Sequence, residues 1–283
     1  MEIKSLENTA IYEIVSTLNF AFSDYFVPIN FTEEYVNERW TASGVDYSLS
    51  FGVFDGKKLV GFIIHAINYY GETKVAYNAS TGVIPSHRRQ GLLTKLYAKA
   101  ITALQENGIQ KSTLECITKN ERAILAYQKV GFNIDRHYKL YKLNWEQVEI
   151  KSELKVNVTT DFYFDDFKHL ENYFPSIENQ DHCLEKYKES LISITVFDGN
   201  EIVAYLIFHK NSKRIHRLGA KENNWNLLGE ILFSGLPTGN YNIINIDTVN
   251  TTIHDFFERM NFDNYIDQYD MSFDFDSAQF NNS

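Results

Sequence analysis

Residues 82–97 read GVIPSHRRQGLLTKLY, and this stretch decides how the first half of the chain is interpreted. An apolar run ends at Val83, two arginines and a glycine follow, and a helical pattern of apolar residues begins at Leu92. The N-terminus of a helix has unpaired main-chain N–H groups and the positive end of the peptide dipoles, and both favour an anion. The guanidinium groups of Arg88 and Arg89 add donors that suit phosphate oxygens. The stretch therefore indicates either a phosphate-binding turn or a solvated helix start without a ligand.

The composition is typical of a soluble globular protein, since 44% of the 283 residues are hydrophobic and 23% are charged. No apolar run approaches the roughly 18 residues of a membrane-spanning helix, and the opening MEIKSLENTA lacks the layout of a signal peptide. The two cysteines, Cys116 and Cys183, cannot form a disulfide framework, and their spacing suits no metal site. We therefore expect a cytoplasmic protein that contacts no membrane and binds no metal ion.

Charge is distributed unevenly between the two halves of the chain. Residues 1–145 have 16 Lys plus Arg and 14 Asp plus Glu, whereas residues 146–283 have 11 and 23. The difference suggests two units with different roles, with an acidic surface that only aids solubility as the alternative. Neither half has the clustered basic face of a nucleic-acid-binding protein. We expect two domains, 1–145 and 146–283, and no nucleic-acid partner.

The apolar periodicity of the first half alternates between helical and strand spacings. It predicts helices at 8–22, 32–40, 92–107 and 121–130, strands at 49–54, 58–67, 75–83 and 111–117, and a strand pair over 132–143. Asp55-Gly56 is a typical hairpin turn between the first two strands. We expect Thr32 to cap the second helix, and Gly108 and Gly131 to end the last two.

Two segments of the second half resemble segments of the first half in the same order. The stretch FGVFDGKKLVGFIIHA at 51–66 resembles ITVFDGNEIVAYLIFH at 194–209, and TKNERAILAYQKVGFNID at 118–135 resembles TVNTTIHDFFERMNFDNY at 248–265. Two ordered matches indicate a diverged internal duplication, with chance similarity between common hairpins and helix–strand units as the alternative. The last residues, 272–283, are expected to form a frayed tail.

Two motifs carry a resemblance to a known family. The first has the form V-x-P-x-x-R-x-x-G-x-G/A, and it stands here as Val83, Pro85, Arg88 and Gly91, with Leu93 in the last position. The second has the form N-x-x-A-x-x-x-Y-x-x-x-G-F, and it stands as Asn120, Ala123, Tyr127, Gly131 and Phe132. Through these motifs residues 1–145 closely resemble the GCN5-related N-acetyltransferase (GNAT) superfamily, and residues 146–283 resemble it in outline.

The resemblance implies an α+β fold made of two GNAT-like domains. Each domain would have a central mixed, mostly antiparallel β-sheet that is flanked by helices and contains a splayed pair of strands. The resemblance also implies acetyl-CoA as the co-substrate, no metal, and direct transfer of the acetyl group to a primary amine.

The resemblance places the coenzyme at the turn and along the splayed strand. The turn residues would hold the pyrophosphate, mainly through main-chain N–H groups: Arg88, Arg89, Gln90, Gly91, Leu92, Leu93 and Thr94. Thr81, Gly82 and Val83 would edge the strand that pairs with the pantetheine amides. Asn120 would contact the pantetheine arm or the adjacent backbone.

Two residues are the candidates for catalysis. The resemblance places Tyr127 near the thioester sulfur, where it would protonate the departing thiolate, although its apolar helix face fits a core aromatic as well. Asn120 likewise fits the N-cap of the helix that follows it. An amine attacks only when it is neutral, so a base must take its proton. That base is Glu115 or a water chain, which Asn78 and Ser80 are candidates to hold.

The second copy lacks the anion site. KENNW at 221–225 takes the place of the R-x-x-G turn, and Phe257 stands in place of Tyr127. We therefore interpret the second copy as a structural or acceptor-shaping partner. Its negative charge favours a small cationic amine as the acceptor, and Tyr25 is a candidate acceptor-site residue. The alternatives are a protein or peptide amine, and a coenzyme-binding sensor without turnover.

Overall fold

The computed structural model describes residues 1–25, 30–70 and 73–275. The strands are β1 Glu2–Ser5, β2 Phe51–Asp55, β3 Lys58–Tyr70, β4 Thr73–Val83, β5 Lys111–Ile117, β6 Asn133–Trp145, β7 Lys155–Thr159, β8 Leu191–Asp198, β9 Glu201–His209, β10 Arg214–Ala220, β11 Gly239–Asp247 and β12 Asp263–Asp274. The α-helices are α1 Ile11–Ala21, α2 Glu33–Ser43, α3 Leu92–Glu106, α4 Glu121–Val130, α5 Asp181–Leu184, α6 Trp225–Ser234 and α7 Thr251–Arg259. None of the helices in these ranges is both long and apolar enough to span a bilayer.

The chain divides into two compact units. Unit 1 consists of Met1–Asp135 and Asp270–Ser283, and unit 2 is Arg136–Tyr269. This division differs from the boundary expected after residue 145, because the chain passes from one unit to the other inside two long strands, β6 and β12. The polar stretch after β6, residues 146–154, lies within unit 2, where it leads into β7.

Unit 1 contains a sheet in the order β1-β2-β3-β4-β5, with the end of β12 beside β5. The pairs from β1 to β4 are antiparallel, and β4 and β5 are parallel. Helix α3 buries a stripe of six residues: Leu92, Leu96, Tyr97, Ala100, Ile101 and Leu104. This 3.6-residue periodicity fixes α3 on the core, so that its first turn follows directly from the loop after β4.

Unit 2 contains a sheet in the order β7-β8-β9-β10-β11-β6, with the beginning of β12 beside β6. Strands β10 and β11 are parallel, and the other neighbours with a defined register are antiparallel. Helices α6 and α7 pack their aromatic residues on this sheet. Phe233, Phe256 and Phe257 are completely buried in that core.

The two units repeat the same local irregularities, which confirms the predicted duplication. In the β2–β3 hairpin Val60 is an extra residue between two paired positions, and in the β8–β9 hairpin Val203 is the equivalent extra residue. The turn glycines of these hairpins, Gly56 and Gly199, have φ values of 60° and 59°. A bulge and a left-handed turn glycine thus stand at matching places in the two hairpins, and bulges are conserved within families.

Two further expectations are wrong in detail. Residues 133–145 form one continuous strand, β6, rather than a strand pair. The expected frayed tail begins later, because residues 272–275 are ordered in unit 1. The Phe273 ring lies where a Cβ on Gly131 would come within 2.6 Å, and the N–H of Phe275 donates to the Gln110 carbonyl at 2.8 Å. The remainder of the expected tail, 276–283, lies outside the described residues.

Candidate active site

Strands β4 and β5 separate part of the way along their length. Their parallel pairing runs from Val75–Lys111 to Tyr77–Thr113 and stops there. The rest of β4 stays paired on its other side with β3, where Ala79 is an extra residue between Asn78 and Ser80. Thr81, Gly82 and Val83 thus lie on a strand edge with no partner strand among the described residues. Strands β4 and β5 are therefore the splayed pair of strands that the sequence analysis expected.

The loop between β4 and α3 presents a run of main-chain N–H groups. In residues 89–94, which we call the anion loop, no main-chain N–H has a hydrogen-bond acceptor within the described ranges. The next N–H, that of Lys95, donates to the Gly91 carbonyl at 3.2 Å. Arg89 and Gly91 adopt left-handed φ values of 63° and 69°. Backbone that alternates between left-handed and ordinary conformations forms concavities that bind anions.

The side chain of Arg88 does not point its donors to this loop. Its Nε donates to the Val83 carbonyl at 3.1 Å, and its two terminal nitrogens donate to the Asp24 carboxylate at 2.6 and 2.7 Å. One terminal nitrogen also donates to the Ala21 carbonyl at 2.8 Å. Hydrogen bonding to Arg88 lowers the pKa of Asp24. The sequence analysis missed Asp24, because nothing in the sequence connects two residues 64 positions apart.

The contacts of Arg88 leave mainly main-chain groups as the donors of the predicted phosphate site. The Arg88 guanidinium, which was expected to suit phosphate, is held in this structure by carbonyl and carboxylate oxygens of its own chain. Arg89 is exposed on the loop. The anion loop therefore consists of six main-chain donors and the one charge of Arg89, with the charge of Arg88 neutralised by Asp24.

Tyr127 lies on α4 beside the open strand edge. Its ring packs edge-on against Tyr97 and Phe132, with centroid distances of 6.2 and 5.7 Å. Burial raises the pKa of Tyr127 above the ordinary value, and hydrogen bonding to Thr81 and Asn78 opposes this rise only in part. The hydroxyl therefore stays protonated at neutral pH, as a proton donor must.

Asn78 fixes the surroundings of that hydroxyl. Its side-chain amide donates to the hydroxyl of Tyr97 at 2.7 Å, and its oxygen accepts from the hydroxyl of Thr81 at 2.8 Å. Asn78 is buried, and the sequence analysis named it only as a candidate to hold a water. In the structure it links residues of β4 and α3 directly around the Tyr127 hydroxyl.

Glu115 lies on β5, the other strand of the splayed pair. Its carboxylate accepts a hydrogen bond from the hydroxyl of Tyr77 on β4. Tyr77 is the last residue of β4 that still pairs with β5, so this contact lies where the two strands separate. The contact that Tyr77 makes with Glu115 was not apparent in the sequence, because Tyr77 stands among the apolar residues of a buried strand.

Asn120 caps α4, as one of its two expected roles required. Its side-chain oxygen accepts from the N–H of Ala123 at 3.3 Å. Asn120 also hydrogen-bonds Tyr25, and this bond lowers the pKa of Tyr25, which burial raises. Burial also raises the pKa of Cys116 to about 12, so this thiol stays protonated and is a poor nucleophile.

The turn of unit 2 that corresponds to the anion loop is capped by its own side chains. Helix α6 begins at Trp225, and the Asn224 side chain accepts from the N–H of Leu227 at 3.4 Å. The Trp225 indole is buried and donates to Asn223 at 2.9 Å. This turn has no arginine, and its cap takes up a donor that the anion loop leaves open.

The strand edge of unit 2 that corresponds to β4 is also covered by its own chain. Residues 171–181, which we call the plug segment, lie along β10. The Asn172 side chain both donates to the carbonyl and accepts from the N–H of Ala220, each at 2.9 Å. Arg217 is buried between Glu171 and Asp181 of the plug segment. The main-chain N–H and carbonyl of Ala220 on this strand edge are thus already occupied.

Gly219 permits this close approach, which gives a first testable expectation. A Cβ at Gly219 would lie 2.0 Å from the Leu170 carbonyl oxygen, just before the plug segment. We expect Gly219→Ala to lower the free energy of unfolding by about 1–3 kcal/mol, as overpacking does, in a urea titration. In the control Gly239→Ala the nearest atom to the new Cβ is 3.6 Å away. Equal unfolding midpoints for the two variants would show that Leu170, the residue before the plug segment, is not packed against Gly219.

Comparison with known proteins shows a similarity to one family within the first unit. The sequence model of the acetyltransferase (GNAT) family matches residues 12–132. N-alpha-acetyltransferase MAK3 of Arabidopsis thaliana is 32% identical over 96 residues, which are 34% of this chain and 50% of that protein. N-alpha-acetyltransferase 30 of Schizosaccharomyces pombe is 30% identical over 94 residues, 33% of this chain and 61% of that protein. The chain thus spans about half to three fifths of these relatives.

Solved structures share the fold over nearly the whole chain. A GCN5-related N-acetyltransferase from Sphaerobacter thermophilus aligns with a TM-score of 0.70 and 13% identity, over 97% of this chain and 95% of that one. A tandem GNAT protein from the clavulanic acid biosynthesis pathway aligns with a TM-score of 0.66 and 11% identity, over 96% and 98%. Identities this low show the fold alone. They confirm the expected architecture of two GNAT-like domains.

Proposed function

Residues 12–132 form a domain of the acetyltransferase (GNAT) family, and from this premise we propose that the protein transfers an acetyl group from acetyl-CoA to a primary amine. The observation that carries the proposal is the anion loop, where six consecutive main-chain N–H groups have no acceptor among the described residues. Donors at a helix start suit a diphosphate. The open edge of β4 at residues 81–83 supports the same assignment, because main-chain groups there can pair with amides.

The residues present fit acetyl-CoA in two respects. The anion loop would hold the pyrophosphate through the main chain of Arg89, Gln90, Gly91, Leu92, Leu93 and Thr94. Thr81, Gly82 and Val83 would hold the pantetheine amides, and Asn120 would lie beside them at the start of α4. The coenzyme supplies an acetyl group activated as a thioester.

Tyr127 and Glu115 divide the proton transfers in this proposal. A neutral amine nitrogen forms the new bond to the acetyl carbon while the carbon–sulfur bond breaks. The protonated hydroxyl of Tyr127 gives its proton to the departing sulfur, and Thr81 and Asn78 orient that hydroxyl. Glu115, or water held near it, takes the proton that the amine loses.

The acceptor class is proposed on charge. Glu115 provides a negative group between the splayed strands, and the chain as a whole has a formal charge of −10. Both favour a small cationic amine that loses its proton in the site. A peptide N-terminus is the second candidate, because both curated relatives named above are N-alpha-acetyltransferases.

One assay separates these acceptors from a coenzyme sensor. The full-length protein is mixed with acetyl-CoA and either a library of small amines or a library of peptides, and free CoA thiol is measured. We expect thiol release that depends on a small amine. Release with peptides alone would select the second candidate. Binding of acetyl-CoA without release in either library would contradict the transferase proposal and leave a sensor.

Calorimetry of the full chain tests the number of coenzyme sites. We expect one acetyl-CoA per chain, since the anion loop of unit 1 is open while the matching edge of unit 2 is covered. The full chain is required, because a fragment that starts at residue 146 lacks β6, a strand of the unit 2 sheet. A stoichiometry of two would show that the plug segment yields to the coenzyme.

A further inference from the structure

We propose that Asp24 is a positioning residue for acetyl transfer. Together with Arg88 it forms what we call the clamp, which fixes the anion loop to the turn that carries Tyr25. The clamp also keeps the Arg88 guanidinium away from the coenzyme phosphates. The inference rests on the proposed function of the anion loop, and it assigns a role to a residue outside both sequence motifs.

The clamp uses most of the hydrogen-bonding capacity of Arg88. A guanidinium has five N–H donors, and Arg88 makes four hydrogen bonds of 2.6 to 3.1 Å. Two of them form a bidentate pair with the Asp24 carboxylate, the geometry that gives an arginine pair its directional strength. Accordingly, hydrogen bonding to the partner lowers the pKa of Asp24 and raises that of Arg88.

The acceptors of Arg88 belong to separate elements of unit 1. The Ala21 carbonyl lies at the C-terminal end of α1, where a cation is favoured by the helix dipole. The Val83 carbonyl ends β4, and the anion loop begins one residue after Arg88. Helix α1 approaches β4 closely at this point, because a Cβ on Gly82 would lie only 3.0 Å from the Cβ of Ala21. The clamp therefore joins the end of α1 to the start of the anion loop.

Asp24 is followed in the chain by Tyr25, the candidate acceptor-site residue. Tyr25 packs edge-on against Phe22, with the ring centroids 5.0 Å apart. Burial raises the pKa of Tyr25, the neighbouring Cys116 of β5 raises it further, and a hydrogen bond to Asn120 lowers it. Holding Asp24 in place thus limits where the adjacent Tyr25 can lie relative to Asn120.

The two possible roles of Arg88 predict effects of opposite sign for Asp24. If Arg88 were a direct phosphate ligand restrained by Asp24, removing Asp24 would free the guanidinium and tighten acetyl-CoA binding. If Arg88 and Asp24 act as a clamp, removing either one disorders the same joint. The losses of kcat in the two single variants are then not additive, because either substitution alone already breaks the pair.

The test uses full-length Asp24→Ala, Arg88→Ala, the double variant and Asp24→Glu, with the amine found in the library assay. We expect each single alanine variant to lower kcat by about tenfold, because misplaced reacting groups are costly. The double variant should be no worse than either single one, and acetyl-CoA should bind to Asp24→Ala no more tightly than to the wild type. Asp24→Glu should recover part of kcat, which a loss of fold alone would not explain.

Glu201→Ala is the matched control. Both carboxylate oxygens of Glu201 accept from the Lys221 Nζ, at 2.7 and 2.8 Å, in unit 2. We expect kcat of Glu201→Ala to stay at the wild-type value. An unchanged kcat in Asp24→Ala, or acetyl-CoA binding tightened by more than about threefold (~0.65 kcal/mol), would overturn the clamp. If Asp24→Ala fails to fold, the isosteric Asp24→Asn is judged by the same criteria. Wild-type protein that binds no acetyl-CoA would instead refute the proposed function itself.

Discussion

Gly91→Val is expected to weaken acetyl-CoA binding by about 10- to 100-fold, the cost of losing one or two main-chain hydrogen bonds to a charged group. Gly91 has a φ of 69°, and a Cβ there would meet no other atom within 4 Å. A β-branched residue therefore fits in space but resists this backbone conformation. The strain would turn the N–H groups of the anion loop out of their arrangement. Calorimetric titration with acetyl-CoA measures the loss.

Gly108→Val is a closely matched control at the other end of the same helix. Gly108 has a φ of 71°, and a Cβ there would likewise meet nothing within 4 Å. Both variants should therefore lose similar stability, of the order of 1–3 kcal/mol for the strained backbone. Only Gly91→Val should lose coenzyme affinity. Equal affinity in the two variants would mean that the anion loop does not bind the coenzyme.

Tyr127→Phe is expected to lower kcat by about 100-fold, the lower end of what general acid catalysis contributes. Phenylalanine retains the ring that packs against Tyr97 and Phe132 and removes only the hydroxyl. Acetyl-CoA affinity should therefore stay near the wild-type value, and steady-state kinetics with calorimetry separate the two quantities.

Tyr241→Phe controls for the loss of a buried phenol elsewhere. Its hydroxyl donates to the Pro237 carbonyl at 2.8 Å in unit 2, so its removal should affect stability and leave kcat unchanged. Full activity in Tyr127→Phe would reduce Tyr127 to the core aromatic that its helix face also allowed.

The elements that position the site were predictable from local patterns. The stripe from Leu92 to Leu104 and the glycine at 108 define α3 closely, because an amphipathic helix and its C-terminal glycine are short-range features. The duplicated hairpins were predictable for the same reason, because the turn residues and the strands on either side lie within about 16 residues of sequence. In both the helix and the hairpins, residues that are close in the sequence are also close in space.

The features that the sequence did not show depend on distant contacts. The last strand, β12, returns to unit 1, and no local signal indicates that the Phe273 ring will lie against Gly131. Asp24 is the strongest example at the site. Its charge has no pattern of its own, and it acquires a role only because α1 ends beside the loop that contains Arg88.

The site itself was predictable in position and only partly in composition. The turn and Tyr127 that the two motifs contain lie in one unit of the structure, together with the strand edge that precedes the turn. The residue type suggested a contact between the Arg88 guanidinium and phosphate, and in the structure that guanidinium hydrogen-bonds Asp24 and two carbonyls. Spacing along the chain cannot distinguish these outcomes, because an arginine side chain can reach several acceptors from the same backbone position.

Amide hydrogen exchange of residues 89–94 tests the central claim most directly. Without an acceptor these N–H groups should exchange rapidly in the free protein. Saturating acetyl-CoA should protect them, whereas S-acetylpantetheine, which has no phosphates, should leave them unprotected. Rapid exchange of all six amides in protein that calorimetry shows to be saturated with acetyl-CoA would contradict the anion loop as the pyrophosphate site.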